Sequence, residues 1–382
     1  MMRPLLVMLA VLSACLAQDE KPAPTIPELL KTGQASYMKG DYEAAGQAYL
    51  QAWDLAQQGK LDDPVRYDVL KRLTSARAAV GEFADADNFL QLAISWREQN
   101  LGPDDPKIVD DVLLSVVYAR GMKDFPRALG IMRRVMTLHG RMNSPDNISL
   151  ADDYSRIAQI YAEMSKPEDA IRALQTALSL RTKALGPLDP SLVFDLDRMG
   201  SLQVALRAYD NAEETYRHAL VIRETLYGKQ HADLIATVDG LAYALFGQKK
   251  YDEADPVYQR LLSLWIGSLG SETHPMVATA LDKIAVFYEA QKKWDQAREN
   301  TTRANAIRAY LLAEGLSVEA TQRLDEGKMG EALAPYQRAL KVLDPPNPIY
   351  DKQREEIEGM SKELDRVLKK PPSKTPPPVR KK

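Results

Sequence analysis

The chain has 382 residues, 45% hydrophobic and 27% charged, with 50 Lys and Arg against 53 Asp and Glu, a formal charge of −3. That balance supplies no global basic field of the kind nucleic-acid binding draws its affinity from. One cysteine, Cys15, excludes a disulfide framework and a cysteine-pair zinc site.

Residues 1–17 read as a signal peptide: Arg3 supplies one positive charge, a short apolar run follows, and small residues close it. The run is too short for a stable membrane span. Two cleavage readings stay open. Leu12-Ser13-Ala14-Cys15 resembles a bacterial lipobox, which makes Cys15 the lipidation candidate and the new N-terminus. Cys15-Leu16-Ala17 offers instead a small-x-small site with cleavage before Gln18. By resemblance to Gram-negative lipoproteins, Leu16 favours the outer membrane. The expected location is therefore the bacterial periplasm or an outer-membrane lipoprotein, with soluble secretion as the alternative. Residues 18–25 form a short tether. Thr25 then caps the first helix, Pro27 sits in its first turn, and Glu28 closes a capping box.

From there a pattern returns along the chain. Ala45, Ala86, Ala128, Ala170, Ala212, Ala254, Ala297 and Ala332 form a column whose steps are 41, 42, 42, 42, 42, 43 and 35 residues. Seven residues after each comes Ala52, Ala93, Val135, Ala177, Ala219, Leu261, Ala304 or Ala339. Between them stands a bulkier residue: Tyr49, Leu90, Met132, Leu174, Tyr216, Tyr258 and Tyr336, with Thr301 breaking the series. Positions i, i+4 and i+7 share one helix face. An earlier helix precedes each, as in Tyr154, Ile157, Ala158 and Tyr161, joined by turns such as Lys39-Gly40-Asp41 and Lys249-Lys250. Each unit is a hairpin with one apolar seam, and it must stack on its neighbours to bury it.

Small, large and small residues at this spacing, preceded by Leu-Ala and Tyr, resemble the tetratricopeptide repeat (TPR). The 42-residue period and linkers such as Leu185-Gly-Pro-Leu-Asp-Pro190 and Leu269-Gly-Ser-Glu-Thr-His274-Pro275 resemble the kinesin-light-chain type. The resemblance spans residues 26–342. It implies an all-α, right-handed superhelical α-solenoid of about eight hairpins, or sixteen repeat helices. It further implies a protein-binding role rather than catalysis.

The last step shortens because no Leu-Gly linker separates Ala304 from Leu312. Pro345, Pro346 and Pro348 end the last hairpin, and residues 343–368 supply a capping helix with Ile357, Met360, Leu364 and Val367 on one face. Residues 369–382 hold five prolines, six basic residues and no acid, a tail expected to be disordered. Arg3 contributes +1 and the tail +6, which leaves −10 on residues 15–368. The acidic body argues against nucleic acid as a partner, and the tail is a candidate contact for an anionic surface.

The four histidines, His139, His218, His231 and His274, form no ligand pair, and no phosphate loop or nucleophile elbow occurs. No enzyme activity, metal or cofactor is expected. The acid pairs Asp104-Asp105 and Asp110-Asp111 fall at linkers and helix starts, where carboxylates favour the helix dipole. One constellation stands out on the inner face of the first helices. Fifteen residues before the column alanine stand Ser155, Asp197, Asp239 and Asp282, followed a turn on by Gln159, Ser201 and Tyr243, with Phe246 and Glu289 beyond. Stacked carboxylates would hold the N–H groups and cations of an extended or basic peptide. The competing reading is a solvated face whose Asp residues bond within their own hairpin. The expected function is a non-catalytic scaffold that grips a partner protein or peptide in its concave groove, outside the cytoplasm. The alternative is an envelope adaptor that docks by its convex face or termini.

Overall fold

The structure is a computed structural model that describes residues 24–58, 63–141 and 147–369. The signal peptide with Cys15, most of the tether, the tail from 370 and residues 59–62 and 142–146 lie outside the described residues. Among the described residues there are sixteen α-helices and no strand. None is long and apolar enough to cross a membrane.

The chain divides into two compact units, Met1–Leu180 and Arg181–Lys382. The first contains hairpins α1–α2 (Ile26–Met38, Tyr42–Gln58), α3–α4 (Asp63–Ala79, Phe83–Leu101) and α5–α6 (Val109–Gly121, Phe125–Arg141). It also holds α7 (Asn147–Glu163) and most of α8 (Pro167–Leu185). The second contains α9–α10 (Val193–Ala205, Tyr209–Tyr227), α11–α12 (Ile235–Gly247, Tyr251–Leu269) and α13 (Pro275–Ala290). It continues with α14 (Trp294–Asp325), α15 (Met329–Val342) and α16 (Asp351–Lys369).

Two expectations are corrected here. The second helix of hairpin seven and the first helix of hairpin eight are one 32-residue helix, α14, so the eight hairpins use fifteen repeat helices. The reason is local: the four other boundaries among the described residues carry a positive-φ glycine, Gly102, Gly186, Gly228 or Gly270, and this one carries none. The capping helix proper begins at Asp351, after the proline-containing segment 343–350, and ends at Lys369.

The seam forms as its spacing predicts. The column alanines and their partners seven residues on are buried in every hairpin, and so are the seven bulky residues between them. Burial of each large side chain contributes roughly 1.5–3 kcal/mol. The largest need room that the facing helices must provide. A Cβ on Gly200 would lie 2.7 Å from the Tyr216 ring, and one on Gly240 would lie 2.3 Å from it. Tyr216 thus fits between glycines of α9 and α11, two consecutive first helices.

The turn inside each hairpin is equally regular. The residue five before the column alanine has positive φ in all eight: Gly40, Gly81, Lys123, Ser165, Arg207, Lys249, Lys292 and Gly327. It stands at C′ of a Schellman motif. In the sixth hairpin the Lys250 N–H donates to Leu245 O at 3.0 Å and the Lys249 N–H to Phe246 O at 2.9 Å. Between hairpins the first helix is started by a side-chain acceptor. The carboxylates of Asp105 and Asp189 accept from Lys107 and Ser191 N–H at 2.8 and 2.9 Å. His231 and His274 Nδ1 accept from Asp233 and Met276 N–H at 3.2 and 3.1 Å. These two histidines share a register because both replace a capping aspartate.

The seam yields a stability test. Gly240→Ala should lower the urea midpoint, because overpacking against Tyr216 costs about 1–3 kcal/mol and exceeds the helix-propensity gain of about 1 kcal/mol. Gly130→Ala, which meets nothing within 4 Å, should raise it. A rise in both would show that the Tyr216 ring yields freely.

Candidate functional site

The inner-face residues come from two different units. In the first, Ser155 is buried at 9% exposure, and its hydroxyl donates to Ala151 O at 3.0 Å, the back-bond a helical serine commonly makes. It therefore presents no groove surface. Gln159 lies one turn on and donates to Glu163 at 3.3 Å.

In the second unit each ladder carboxylate has an internal cation. Asp197 pairs with Arg223 at 2.7 Å and accepts from the Thr237 hydroxyl at 3.1 Å. Asp239 accepts from Lys283 Nζ at 2.6 and 2.7 Å, and Asp282 pairs with Arg308. The expected acceptor-only ladder is therefore a set of ion pairs. Asp197 and Asp282 form ion pairs within their own hairpins, Asp197 also bonds Thr237 of the next hairpin, and the Asp239 ion pair reaches across to the next. Ser201 donates to Asp197 O at 2.9 Å and lies 3.2 Å from the Tyr216 hydroxyl. Tyr243 is 48% exposed and meets Phe246 edge-on at 6.3 Å. Glu289 is exposed.

A second carboxylate register, two residues earlier, escaped the pattern reading. Asp111, Asp153 and Asp195 stand seventeen before their column alanines and are buried. Each meets a base fourteen residues back, at the end of the preceding hairpin. Arg97 lies 3.0 Å from Asp111 and His139 Nδ1 lies 2.7 Å from Asp153, while Arg181 pairs with Asp195. Asp111 also accepts from Lys71 at 2.6 Å and from the Tyr67 hydroxyl at 2.8 Å. The acid pair Asp110-Asp111 is thus more than a helix-dipole feature. Burial pushes the Asp153 carboxyl above its usual range, with His139 and Arg156 acting against it. The only sequence signal is a base and an acid fourteen residues apart on separate helices.

A further acid register follows the column alanine by one. Asp87 pairs with Arg127, and Asp255 accepts from the Tyr288 hydroxyl at 2.9 Å. Glu213 accepts from Gln248 at 2.8 Å and from Lys250 at 2.7 Å. Burial would raise the Glu213 carboxyl, but hydrogen bonds from Lys250, Arg217 and Gln248 outweigh it and bring it down to about 2.

The buried base–acid register changes along the second unit. Arg223 meets Thr237 in place of an acid, and one step later the positions hold Trp265 and Ala280. There, a cleft of about 740 Å³ opens, with Trp265, Leu261, Met276 and Ala280 on its walls and Asp239 and Lys283 at its rim. Here a predicted ladder residue, Asp239, borders a cavity. Trp265 is half-buried in the cleft wall.

The repeat, the seam and the turns define a tetratricopeptide fold. Two stretches match tetratricopeptide repeat family models, residues 154–191 and 234–309. Among solved structures, the chain is similar to BtubC (BKLC) from P. vanneervenii at 18% identity and a TM-score of 0.50, covering 60% of this chain and 92% of that one. It is similar to a Signal Transduction ATPase with Numerous Domains (STAND) protein with a tetratricopeptide repeat sensor from Pyrococcus horikoshii. That match has 14% identity and a TM-score of 0.53, over 73% of this chain and 41% of that one. Kinesin-light-chain TPR-like repeats from Podosopora anserina are also similar, at 14% identity and a TM-score of 0.44, over 53% of this chain and 96% of that one. No curated protein matches the sequence. The chain has an all-α tetratricopeptide solenoid fold.

The buried pair offers a direct test. Asp195→Ala breaks the buried pair with Arg181 and should destabilise the protein by roughly 3–5 kcal/mol. The double variant Arg181→Met, Asp195→Leu should recover part of that loss in the same urea titration. Equal losses in both would mean that packing at the site, not the ion pair, matters.

Proposed function

We propose that this is an exported, non-catalytic scaffold that binds an extended segment of a partner protein along the first-helix face of α11 and α13. The carrying observation is the Asp239 cleft, beside which Tyr243 and Val286 stand 48% and 53% exposed. An apolar pocket with a few polar groups at its rim is the usual form of a recognition site. The paired state of Asp239 and Asp282 refines the ligand chemistry. A partner cation must share a carboxylate with Lys283 or Arg308, so a cation adds selectivity while the apolar wall supplies most of the affinity.

A photo-crosslinking residue at Tyr243 tests this in the native host. It should trap one partner, and Ala236→Trp, which fills the cleft, should suppress the trap at unchanged helicity. The second reading, docking by the convex face, is favoured by Val221, Leu226 and Tyr227, which are large, apolar and exposed on α10. A crosslink from Val221 and none from Tyr243 would establish that reading instead.

Export rests on residues 1–17 and the anchor on Cys15. The intact mass of the mature protein from the host's membrane fraction should show a start at Cys15 with added acyl mass. A start at Gln18 without it makes the protein a free exported scaffold.

A further inference from the structure

A second cleft, of about 770 Å³, runs between the latter half of α14 and the capping helix α16. It lies apart from the Asp239 cleft and does not depend on how that one is read. Its lining includes Tyr310, Glu314, Val318 and Asp325 of α14 and Glu356 and Met360 of α16. Val318 is 63% exposed and Met360 44% exposed. Glu314 and Asp325 are also exposed, and neither has a cationic partner within 4.0 Å among the described residues. They differ in this from Asp197, Asp239 and Asp282, each already paired.

The two helices run alongside in the same direction. Gln353 of α16 donates to Tyr310 O at 3.2 Å, and further on the Tyr336 hydroxyl contacts Met360 Sδ at 3.5 Å and Thr321 of α14 at 3.4 Å. The chain leaves α16 at Lys369, beyond the Asp325 end of the cleft. Thirteen residues follow, 370–382, with Lys370, Lys374, Arg380, Lys381, Lys382 and five prolines. An extended proline-rich segment covers ~3.1 Å per residue, so this one reaches ~40 Å. The return from Lys369 to Met360 is only ~14 Å of helix.

Charge spacing agrees with that path. Glu314 and Asp325 are eleven residues apart, three turns of one helix face, or ~16 Å. Lys374 and Arg380 are six residues apart, or ~19 Å in extended form. Pro376-Pro377-Pro378-Val379 lies between them and is an apolar match for Val318 and Met360.

We propose that residues 370–382 fold back into this cleft as an extended basic segment, with Lys374 against Asp325 and Arg380 against Glu314. The chain then supplies the occupant of its own terminal groove, and the segment's five positive charges face the unpaired acids of α14. Screening by salt weakens such contacts between exposed charges.

Limited trypsin digestion of the full chain tests it. Lys374 precedes Thr375 and is cleavable, whereas Lys370 precedes Pro371 and resists trypsin. At low ionic strength, release of residues 375–382 should be roughly threefold or more slower in the native chain than in Glu314→Gln, Asp325→Asn, because cleavage tracks the undocked population. Salt should accelerate the native chain and leave the variant unchanged. Equal rates at low salt would overturn the proposal. A photo-crosslinking residue at Val318 gives a second reading. Links to residues 370–382 at monomer mass support it. Links at dimer mass, to another protein, or to no part of 370–382 overturn it.

Discussion

The distance to which one helix can approach the next governs this structure. Each hairpin meets its neighbours through a small, a large and a small side chain on one face, and the small ones are buried wherever they occur. Alanine permits contact between backbones that a larger residue would hold apart, and the large residue then occupies the space left between helices. At two of the tyrosines the facing helix yields further, and glycine stands opposite the ring, Gly33 for Tyr49 and Gly200 for Tyr216. These pairs hold the same register in two different hairpins. Close packing at native density explains why the rule is so strict: a single methyl group in the wrong place has nowhere to go.

Packing alone leaves the stacked hairpins free to slide or twist, since apolar contact is non-directional. Direction comes from the polar registers. The pairs Arg97–Asp111, His139–Asp153 and Arg181–Asp195 join the end of one hairpin to the start of the next, each fourteen residues apart. The acids after the column alanine reach forward to the next turn, from Asp87 to Arg127 and from Glu213 to Gln248 and Lys250. A buried pair adds little net stability because desolvation offsets its attraction. Its effect is to penalise misplacement: a hairpin shifted by one residue would leave a buried carboxylate without its base.

The seam was legible because it is periodic, and periodicity survives without knowledge of contacts. The long α14 was legible in part, through the missing Leu-Gly break, although its continuity across the repeat boundary was not. The turn residue with positive φ was hidden at Lys123, Ser165, Arg207, Lys249 and Lys292, where no glycine marks it. There the Schellman hydrogen bonds fix a conformation the residue type does not announce. The buried acids were hidden for a different reason. Asp111 and Asp195 look like ordinary helix-start carboxylates, and their bases lie on another helix. At the inner face, the register of Asp197, Asp239 and Asp282 was readable, while their neutralisation by Arg223, Lys283 and Arg308 needed the three-dimensional pairing.

The place where the polar register lapses is the more informative. Between hairpins six and seven, Trp265 and Ala280 replace the base and the acid, and the cleft opens there. A stack that gave up this constraint without replacement would gain a hinge. Instead the same hairpins carry an aromatic cluster around Phe287, whose ring lies 4.9 Å from Tyr258, 5.2 Å from Tyr288, 5.9 Å from Phe246 and 6.0 Å from Tyr251. Tilted and edge-on rings at such distances each contribute roughly 0.5–1.5 kcal/mol beyond burial. The cluster and the Asp239–Lys283 pair hold these two hairpins where the buried base–acid pairing is missing. Departure from a repeated rule, with compensation close by, is what a recognition site built into a repeat requires.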